Sequence, residues 1–159
     1  MNIETTYYTS PIGNLEIKGT NNEIHSIYFI DDNLAPIEVK SKELQKCVSQ
    51  LDEYFAGTRK EFELRLSPKG TEFQGRVWNE LLNVPFGKTR SYLHQTKQLG
   101  DVKAIRAVAS ANGKNPISII IPCHRIIGSD GSLTGYAGGV WRKKWLLEHE
   151  SGSKQQTLF

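Results

Sequence analysis

The chain has 159 residues, of which 38% are hydrophobic and 23% charged, and its formal net charge is +3. This length allows one domain of ordinary size or two small ones, with enough apolar residues for a core. No stretch approaches the roughly 18 apolar residues of a membrane-spanning helix, and the chain does not open on a leader pattern, so we expect a cytoplasmic protein. The two cysteines exclude a disulfide framework, so any special role of cysteine is that of a free thiol.

The charge is unevenly divided along the chain. Residues 1–70 carry 8 basic and 11 acidic side chains, whereas residues 71–159 carry 12 basic and 6 acidic ones. A basic excess in one half indicates a polyanionic partner such as nucleic acid, because neutralised phosphates release counterions. A solvated basic face would give the same count, so charge alone does not decide between the two.

The first 70 residues predict an α/β domain with an antiparallel sheet. Apolar and polar residues alternate between turn sequences, which predicts three strands over residues 3–9, 15–18 and 24–30. Apolar residues at helical spacing follow and end at Gly57; they are Leu44, Cys47, Val48, Leu51, Tyr54 and Phe55. Cys47 therefore reads as a buried core thiol. The alternation of Phe62, Leu64 and Leu66 predicts one more strand before a linker at residues 67–70.

Residues 71–150 predict a mostly helical domain. Thr71 and Gln74 have the spacing of a capping box, and the helix that they open continues to Pro85. A second helix is expected from Ser91 to Gly100, and a third, capped by Asp101, over residues 102–111. Two short helices joined by a glycine turn are typical of a helix-turn-helix, a weak signal that the basic charge of this half strengthens. Residues 151–159 are then a flexible tail.

The third helix consists of small residues around a single arginine, Arg106. We expect about half of the small residues to pack on the neighbouring helix and the others, including Ala107 and Ser110, to face DNA. A slim helix with few long polar side chains is poorly suited to reading bases in the major groove. It fits a widened minor groove, with Arg106 as the wedge.

The strongest chemical signal lies at Cys123. The apolar run of residues 117–121 predicts a strand that leads into it, and His124 and Arg125 follow directly. Their positive charge should favour the thiolate of a thiol whose ordinary pKa is about 8.5, which makes Cys123 a candidate nucleophile. A small core residue is the alternative, although basic neighbours suit a core poorly. The histidines and cysteines show no zinc spacing, so no metal is expected.

The segment Ile-Pro-Cys-His-Arg-Ile-Ile at residues 121–127 resembles the active-site motif of the O6-alkylguanine-DNA alkyltransferases. Further matches follow the same order: Phe-Gly-Lys-Thr-Arg-Ser-Tyr ending at Tyr92, Ala-Ile-Arg-Ala-Val carrying Arg106, Asn115-Pro116, Gly-Tyr-Ala-Gly-Gly at 135–139, and Trp-Leu-Leu-Glu-His-Glu ending at Glu150. The resemblance covers residues 71–150 without a gap. It implies a ribonuclease-H-like α/β domain over 1–70 and a winged-helix or helix-turn-helix catalytic domain over 71–150.

The resemblance also implies a reaction that each molecule performs once. Cys123 would accept the alkyl group of O6-alkylguanine, with O4-alkylthymine as a further candidate substrate, and no cofactor would be needed. The resemblance implies that His124 acts through a water molecule as the base. A water relay fits the geometry, since neighbouring side chains of an extended segment point to opposite faces. Glu150 would orient His124. Tyr92 would rotate the phosphate beside the lesion and donate a hydrogen bond to the departing base.

The partner implied is double-stranded DNA approached from the minor groove, bound by a monomer. The alkylated base must leave the stack to meet a buried thiol, and Arg106 would fill the gap. Tyr92, Ala107, Ser110 and Arg125 would be further DNA contacts. Asn115 would also tie the recognition helix to the active-site loop. The residues expected to form the base pocket are Asn115, Pro116, Ile126, Tyr136, Ala137 and Gly138.

This sequence departs from family patterns at three places. Ala137 stands where some members carry a serine, so only its backbone N–H is available to the base oxygen, and the preference between guanine and thymine lesions stays open. Gly138 stands where some carry a bulky residue, which leaves room for larger alkyl groups. Some members bind zinc in the first domain; with Cys47 as its only cysteine, this domain should bind none.

Alternatives from other classes remain. A helix-turn-helix regulator without chemistry, or a protein that binds alkylated bases without removing them, would share the DNA-binding half. The lesion-binding group lacks the acceptor cysteine, so Cys123 together with His124 and Glu150 favours repair. A cysteine hydrolase would need an oxyanion-hole motif, and none accompanies the thiol.

The tail ends in Gln155-Gln156-Thr157-Leu158-Phe159 after a Ser-Gly-Ser linker. It resembles the short peptides with which bacterial DNA enzymes dock onto the replication sliding clamp. Leu158 and Phe159 would fill an apolar pocket while Gln155 forms hydrogen bonds. The two apolar residues could equally fold back onto their own domain, since such short matches arise by chance.

Overall fold

A computed structural model of the chain describes residues 2–152. The chain divides into two compact units. The first runs to Lys69 and also includes Pro116–Ser118, and the second comprises Gly70–Asn115 and resumes at Ile119. Within residues 2–152, no helix is long and apolar enough to cross a membrane.

The first unit is the predicted sheet and helix. Its strands are β1 (Glu4–Ser10), β2 (Gly13–Gly19) and β3 (Ile24–Ile30), antiparallel and in the order β1-β2-β3. Helix α1 (Lys42–Ala56) begins at Ser41, whose side chain accepts a hydrogen bond from the Leu44 N–H, and ends at Gly57 in the left-handed conformation with φ 84°. Cys47 is fully buried on this helix, as predicted, and burial raises its pKa to about 12.

Two predicted strands are wrong. Residues 62–66 contribute only a single bridge, between Ile24 and Leu66, and residues 117–121 contribute only the bridge between Ile27 and Ile117. Each apolar run is buried or half-buried in irregular backbone beside β3 or in the turn that follows Ile117. Alternation and apolarity report burial, and they do not supply the partner strand that a ladder requires.

The second unit contains three packed helices, a short parallel sheet and a final helix. Its helices are α2 (Glu72–Leu81), α3 (Tyr92–Gln98), α4 (Ile105–Gly113) and α5 (Val140–Ser151), and β4 (Arg90–Ser91) pairs with β5 (Ile126–Ile127). The capping box of Thr71 and Gln74 is present. The residues predicted to open the third helix instead form a 3₁₀ turn, Val102–Ala104.

Buried polar contacts fix the helices that carry the site. The indole N–H of Trp78 on α2 donates to the Ala111 carbonyl on α4 at 2.8 Å. The amides of Gln95 and Asn112 exchange two hydrogen bonds of 2.8 Å between α3 and α4. Buried polar groups that satisfy each other specify one arrangement of the helices, so α4 has a defined exposed face.

Candidate active site and DNA-binding surface

Cys123 opens a 3₁₀ turn, Cys123–Arg125, and is only 8% exposed. The side-chain amide of Asn115 donates to its Sγ at 3.3 Å and to the Ile121 carbonyl at 2.7 Å. Between these residues the backbone turns at Ile119, a buried β-branched residue with φ 73°. This conformation is strained for a β-branched residue, and strain of this kind persists where the surrounding structure requires it. Asn115 thus fixes the loop that presents the sulfur.

The electrostatics of Cys123 differ from the prediction. Burial raises the pKa of Cys123, against the lowering effects of the Asn115 hydrogen bond and the positive charge of Lys143. Burial also lowers the pKa of His124, so its imidazole is neutral and supplies no positive field. The Arg125 charge is paired with Glu150. Cys123 is therefore held in its protonated thiol form, and a base is needed to make the thiolate.

His124, Arg125 and Glu150 form a buried cluster. His124 Nε2 lies 2.6 Å from Glu150 Oε2, and the Arg125 guanidinium donates from Nε to Oε1 at 2.7 Å and from Nη2 to Oε2 at 3.1 Å. Burial opposes the carboxylate charge, yet the hydrogen bond from the His124 imidazole, together with the hydrogen bonds and positive charge of Arg125, holds the pKa of Glu150 well below its usual range. His124 Nδ1 is buried and has no hydrogen-bond partner within the described chain, so it is the ring nitrogen left for chemistry.

Arg125 occupies a different place from the one predicted. Its guanidinium is buried, bound to Glu150 and donates from Nη1 to the Val84 carbonyl at 2.7 Å. It also lies over the Phe86 ring, 5.9 Å from the centroid. A side chain committed in this way has no donor directed to a phosphate. The prediction that Arg125 contacts DNA is therefore replaced by a role in holding Glu150.

Sequence reasoning missed Lys143. This lysine is fully buried on α5, and its Nζ donates to the Thr134 carbonyl at 3.0 Å and lies 3.5 Å from the Tyr92 hydroxyl. The Tyr92 hydroxyl donates to the same carbonyl at 3.0 Å. The helical spacing of residues 143, 146 and 150 could have indicated Lys143, because these three residues form the buried face of α5. A lysine at one of these positions is predicted to be buried.

A cavity of about 530 Å³ lies beside these groups. Its lining includes four residues predicted for the site, Tyr92, Arg106, Tyr136 and Ala137. The other predicted pocket residues do not line it. Asn115 binds the sulfur, Ile126 is buried in β5, and the Gly138 carbonyl accepts from Arg142. Pro116 belongs to the first unit, where its carbonyl accepts from the Ile27 N–H at 2.8 Å.

Helix α4 presents a polar and small-residue face to solvent. Arg106, Ala107 and Ser110 are exposed, whereas Val108 and Ala111 are buried. The division of this helix between packing and exposure is the one that the sequence predicted. Among residues 2–152, no group of His, Cys, Asp and Glu side chains is arranged to hold a metal ion.

Two family models match nearly the whole described chain. Residues 72–152 match the DNA binding domain of 6-O-methylguanine DNA methyltransferase, and residues 3–68 match its ribonuclease-like domain. The chain belongs to the 6-O-methylguanine DNA methyltransferase family. Membership confirms the predicted fold class and the predicted reaction, methyl transfer from O6-methylguanine in DNA repair.

Relatives of this methyltransferase cover most of its length. The methylated-DNA–protein-cysteine methyltransferase of Mycobacterium leprae is 47% identical over 153 residues, 94% of this chain and 91% of the relative. That of Methanosarcina acetivorans is 43% identical over 149 residues, covering 90% and 95%. The Mycobacterium tuberculosis O6-methylguanine methyltransferase structure has a TM-score of 0.86 at 40% identity and covers 99% of both chains. A structure of the M. tuberculosis protein in complex with DNA has a TM-score of 0.84 at 43% identity, covering 92% and 91%.

Proposed function

We propose that this methyltransferase transfers the alkyl group of O6-alkylguanine in double-stranded DNA to Cys123 and that each molecule acts once. The environment of the thiol carries the proposal, because Cys123 is buried and bound by Asn115 in the same unit as the His124–Glu150 pair. A thioether forms, and removing the alkyl group again would need a further nucleophile that attacks the alkyl carbon and displaces the Cys123 sulfur. The other cysteine, Cys47, is fully buried in the first unit.

The first step is proton removal from the thiol. His124 Nε2 is engaged by Glu150, so Nδ1 receives the proton through a bridging water molecule. The sulfur attacks the alkyl carbon, a carbon–sulfur bond forms, and the bond from that carbon to the guanine oxygen breaks. The Glu150 carboxylate stabilises the imidazolium, and overall the thiol proton is exchanged for the alkyl group while guanine gains a proton.

The second requirement is a donor for the departing guanine. Burial raises the pKa of the Tyr92 hydroxyl, so it is protonated before the reaction. It would exchange its bond to the Thr134 carbonyl for one to the guanine, and Lys143 would keep that carbonyl paired. The Lys143 ammonium, 3.5 Å from the hydroxyl, would stabilise the negative charge that the phenol oxygen acquires as its proton moves.

DNA would be bound through the exposed face of α4 in the minor groove, by Arg106, Ala107 and Ser110. The cavity beside Tyr92 has the volume expected of a site for a single base with its alkyl group. Arg106 lines this cavity and is exposed, as a side chain that fills the gap of a flipped base must be. Residues 71–150 would act as the catalytic and DNA-binding domain of a monomer.

The proposal is tested by mixing the protein with a duplex that contains one O6-methylguanine and weighing the proteolytic peptides. We expect one methyl group per molecule, on the Cys123 peptide, and no turnover. Cys123→Ser should bind the duplex without transfer, since phosphate contacts lie on other residues. Methyl on Cys47, or repeated turnover, would overturn the assignment. Duplexes with O4-methylthymine or O6-benzylguanine measure the preference that Ala137 and Gly138 leave open.

A partner for the tail is a separate proposal. Gln155, Leu158 and Phe159 lie outside the described residues, and the case for a sliding clamp rests on their sequence. A peptide of residues 151–159 should bind a bacterial sliding clamp, and the same peptide with Leu158→Ala and Phe159→Ala should not. Equal binding, or no binding, by the two peptides would contradict a clamp contact.

A further inference from the structure

One wall of the cavity ends in two glycines. Tyr136 and Ala137 line the cavity, and Gly138 and Gly139 connect them to α5. Gly139 has φ 95° and ψ 146°, a backbone conformation that side chains strongly disfavour, and its N–H donates to the Tyr136 carbonyl at 2.8 Å. Since neither glycine has a side chain to pack, contacts from neighbouring residues must fix the position of this part of the backbone.

The neighbours are the second and third residues of α5. Arg142 reaches back and donates from Nη1 to the Gly138 carbonyl at 2.9 Å. Its guanidinium lies over the Trp141 indole, 4.7 Å from the ring centroid. The indole in turn lies against Gly139, where an added Cβ would be 3.3 Å from Cδ1 and 3.4 Å from Nε1. Trp141 is 57% exposed, so burial in a core does not account for its place.

We infer that Arg142, oriented by Trp141, is a positioning residue that holds Gly138 and, through it, the adjoining cavity wall of Tyr136 and Ala137, and thereby limits the size of the alkyl group transferred. The inference rests on the proposed function, in which the cavity holds the flipped base. A fixed wall keeps the small methyl carbon aligned with the sulfur, and a shift of about 1 Å is enough to slow such a reaction about 100-fold. A mobile wall sacrifices that alignment and makes room for larger groups.

The charge of Arg142 also reaches the cavity. Burial raises the pKa of the Tyr136 hydroxyl well above its usual range, Cys123 adds to that effect, and Arg142 acts against it. Stacking on the Trp141 indole restricts the orientation of the Arg142 guanidinium to the one in which it donates to the Gly138 carbonyl. Arginine suits this position because its planar guanidinium stacks on the indole and directs its N–H donors in fixed directions. A lysine ammonium is not planar, and its donors rotate freely.

The test compares single-turnover rates with O6-methylguanine and O6-benzylguanine in the same duplex. In Arg142→Ala we expect the methyl rate to fall and the ratio of benzyl to methyl rates to rise about tenfold, the effect of losing one hydrogen bond from a charged donor. Trp141→Ala should change the ratio in the same direction by less. Lys144→Ala, which removes an exposed charge from the same helix, is the matched control and should leave the ratio unchanged.

Further variants separate the possible outcomes. Arg142→Lys keeps the charge and should still raise the ratio, and it gives the answer if Arg142→Ala fails to fold. Free O6-benzylguanine removes any effect on DNA affinity. If wild type methylates Cys123 but Arg142→Lys and Trp141→Ala keep the ratio of the Lys144→Ala control, the positioning role is wrong while the proposed function stands. If wild type transfers nothing to Cys123, the proposed function itself fails.

Discussion

Glu150→Gln tests the buried cluster because the two side chains have the same shape and differ in charge and donors. Glu150 accepts from Arg125 Nε and Nη2 and pairs with His124 Nε2. A glutamine has one acceptor oxygen, and its NH₂ would face a donor of Arg125 unless it turned to His124. Arg125 would keep its bond to the Val84 carbonyl but would be a buried charge without its counterion.

The expected losses follow from these contacts. Breaking a buried ion pair by neutralising one partner costs about 3–5 kcal/mol, which lowers Tm by roughly 10 °C in a chain of this length. Transfer should slow by about 10³–10⁴, because an amide that donates to His124 Nε2 leaves the imidazole proton on Nδ1, the atom proposed to act as base. Both effects come from one change of charge.

Thermal unfolding by circular dichroism and a quenched single-turnover assay measure the two effects separately. Glu148→Gln, on the same helix, is the control for removing a carboxylate. Arg125→Met combined with Glu150→Gln removes the unpaired buried charge of Arg125. This double variant should recover much of the thermal stability lost in Glu150→Gln, while transfer stays slow. Recovery of both, or a transfer rate in Glu150→Gln equal to that of the control, would refute the role of Glu150 in holding the base.

Three further outcomes are expected. Burial raises the pKa of Cys123 and lowers that of His124, so the transfer rate should be constant at pH values between these two pKa values. At pH values below the pKa of His124 the base is protonated, and the rate should decrease. A rate that rises about tenfold per pH unit through neutrality, as for a free thiol, would contradict this. Lys143→Met and Tyr92→Phe should each slow transfer, and together by less than the product of the single effects, since one acts through the other; fully additive effects would separate them. Arg106→Ala should keep Tm and slow repair of duplex DNA but not of free O6-benzylguanine, and equal slowing of both would remove its role in base extrusion.

Local signals were enough to predict helices α1, α2 and α3, most of α4, and the first sheet. Helix α1 has its cap at Ser41 and its stop at Gly57, and both act through the nearest turn of backbone. The apolar run at residues 117–121 was different. The sequence predicts that this run is buried. Whether it forms a strand depends on its pairing with Ile27, about 90 positions away, and on the turn at Ile119, whose positive φ no residue propensity predicts.

The site residues divide in the same way. The motif predicts Cys123 and His124 as neighbouring candidate site residues, because adjacency in sequence is adjacency in space. The direction of Arg125 was not, since its partners Val84 and Glu150 come from distant segments. The pKa of Cys123 was predicted with the wrong sign for a related reason: the sequence shows which charges are near, whereas burial, the larger effect, depends on the whole fold.

The three residues Pro116–Ser118 leave the second unit and pair with β3 of the first through Ile27 and Ile117. The first unit is therefore not encoded by one continuous stretch of gene sequence, because part of its sheet edge is encoded within the sequence of the second unit, a few codons before Cys123. A recombination event at the linker near residue 69 would separate the sheet from that pairing segment. Gene fusions and domain exchanges in such a protein should preserve both halves together, and a replacement for the first domain would have to match the Pro116–Ser118 segment as well as fold.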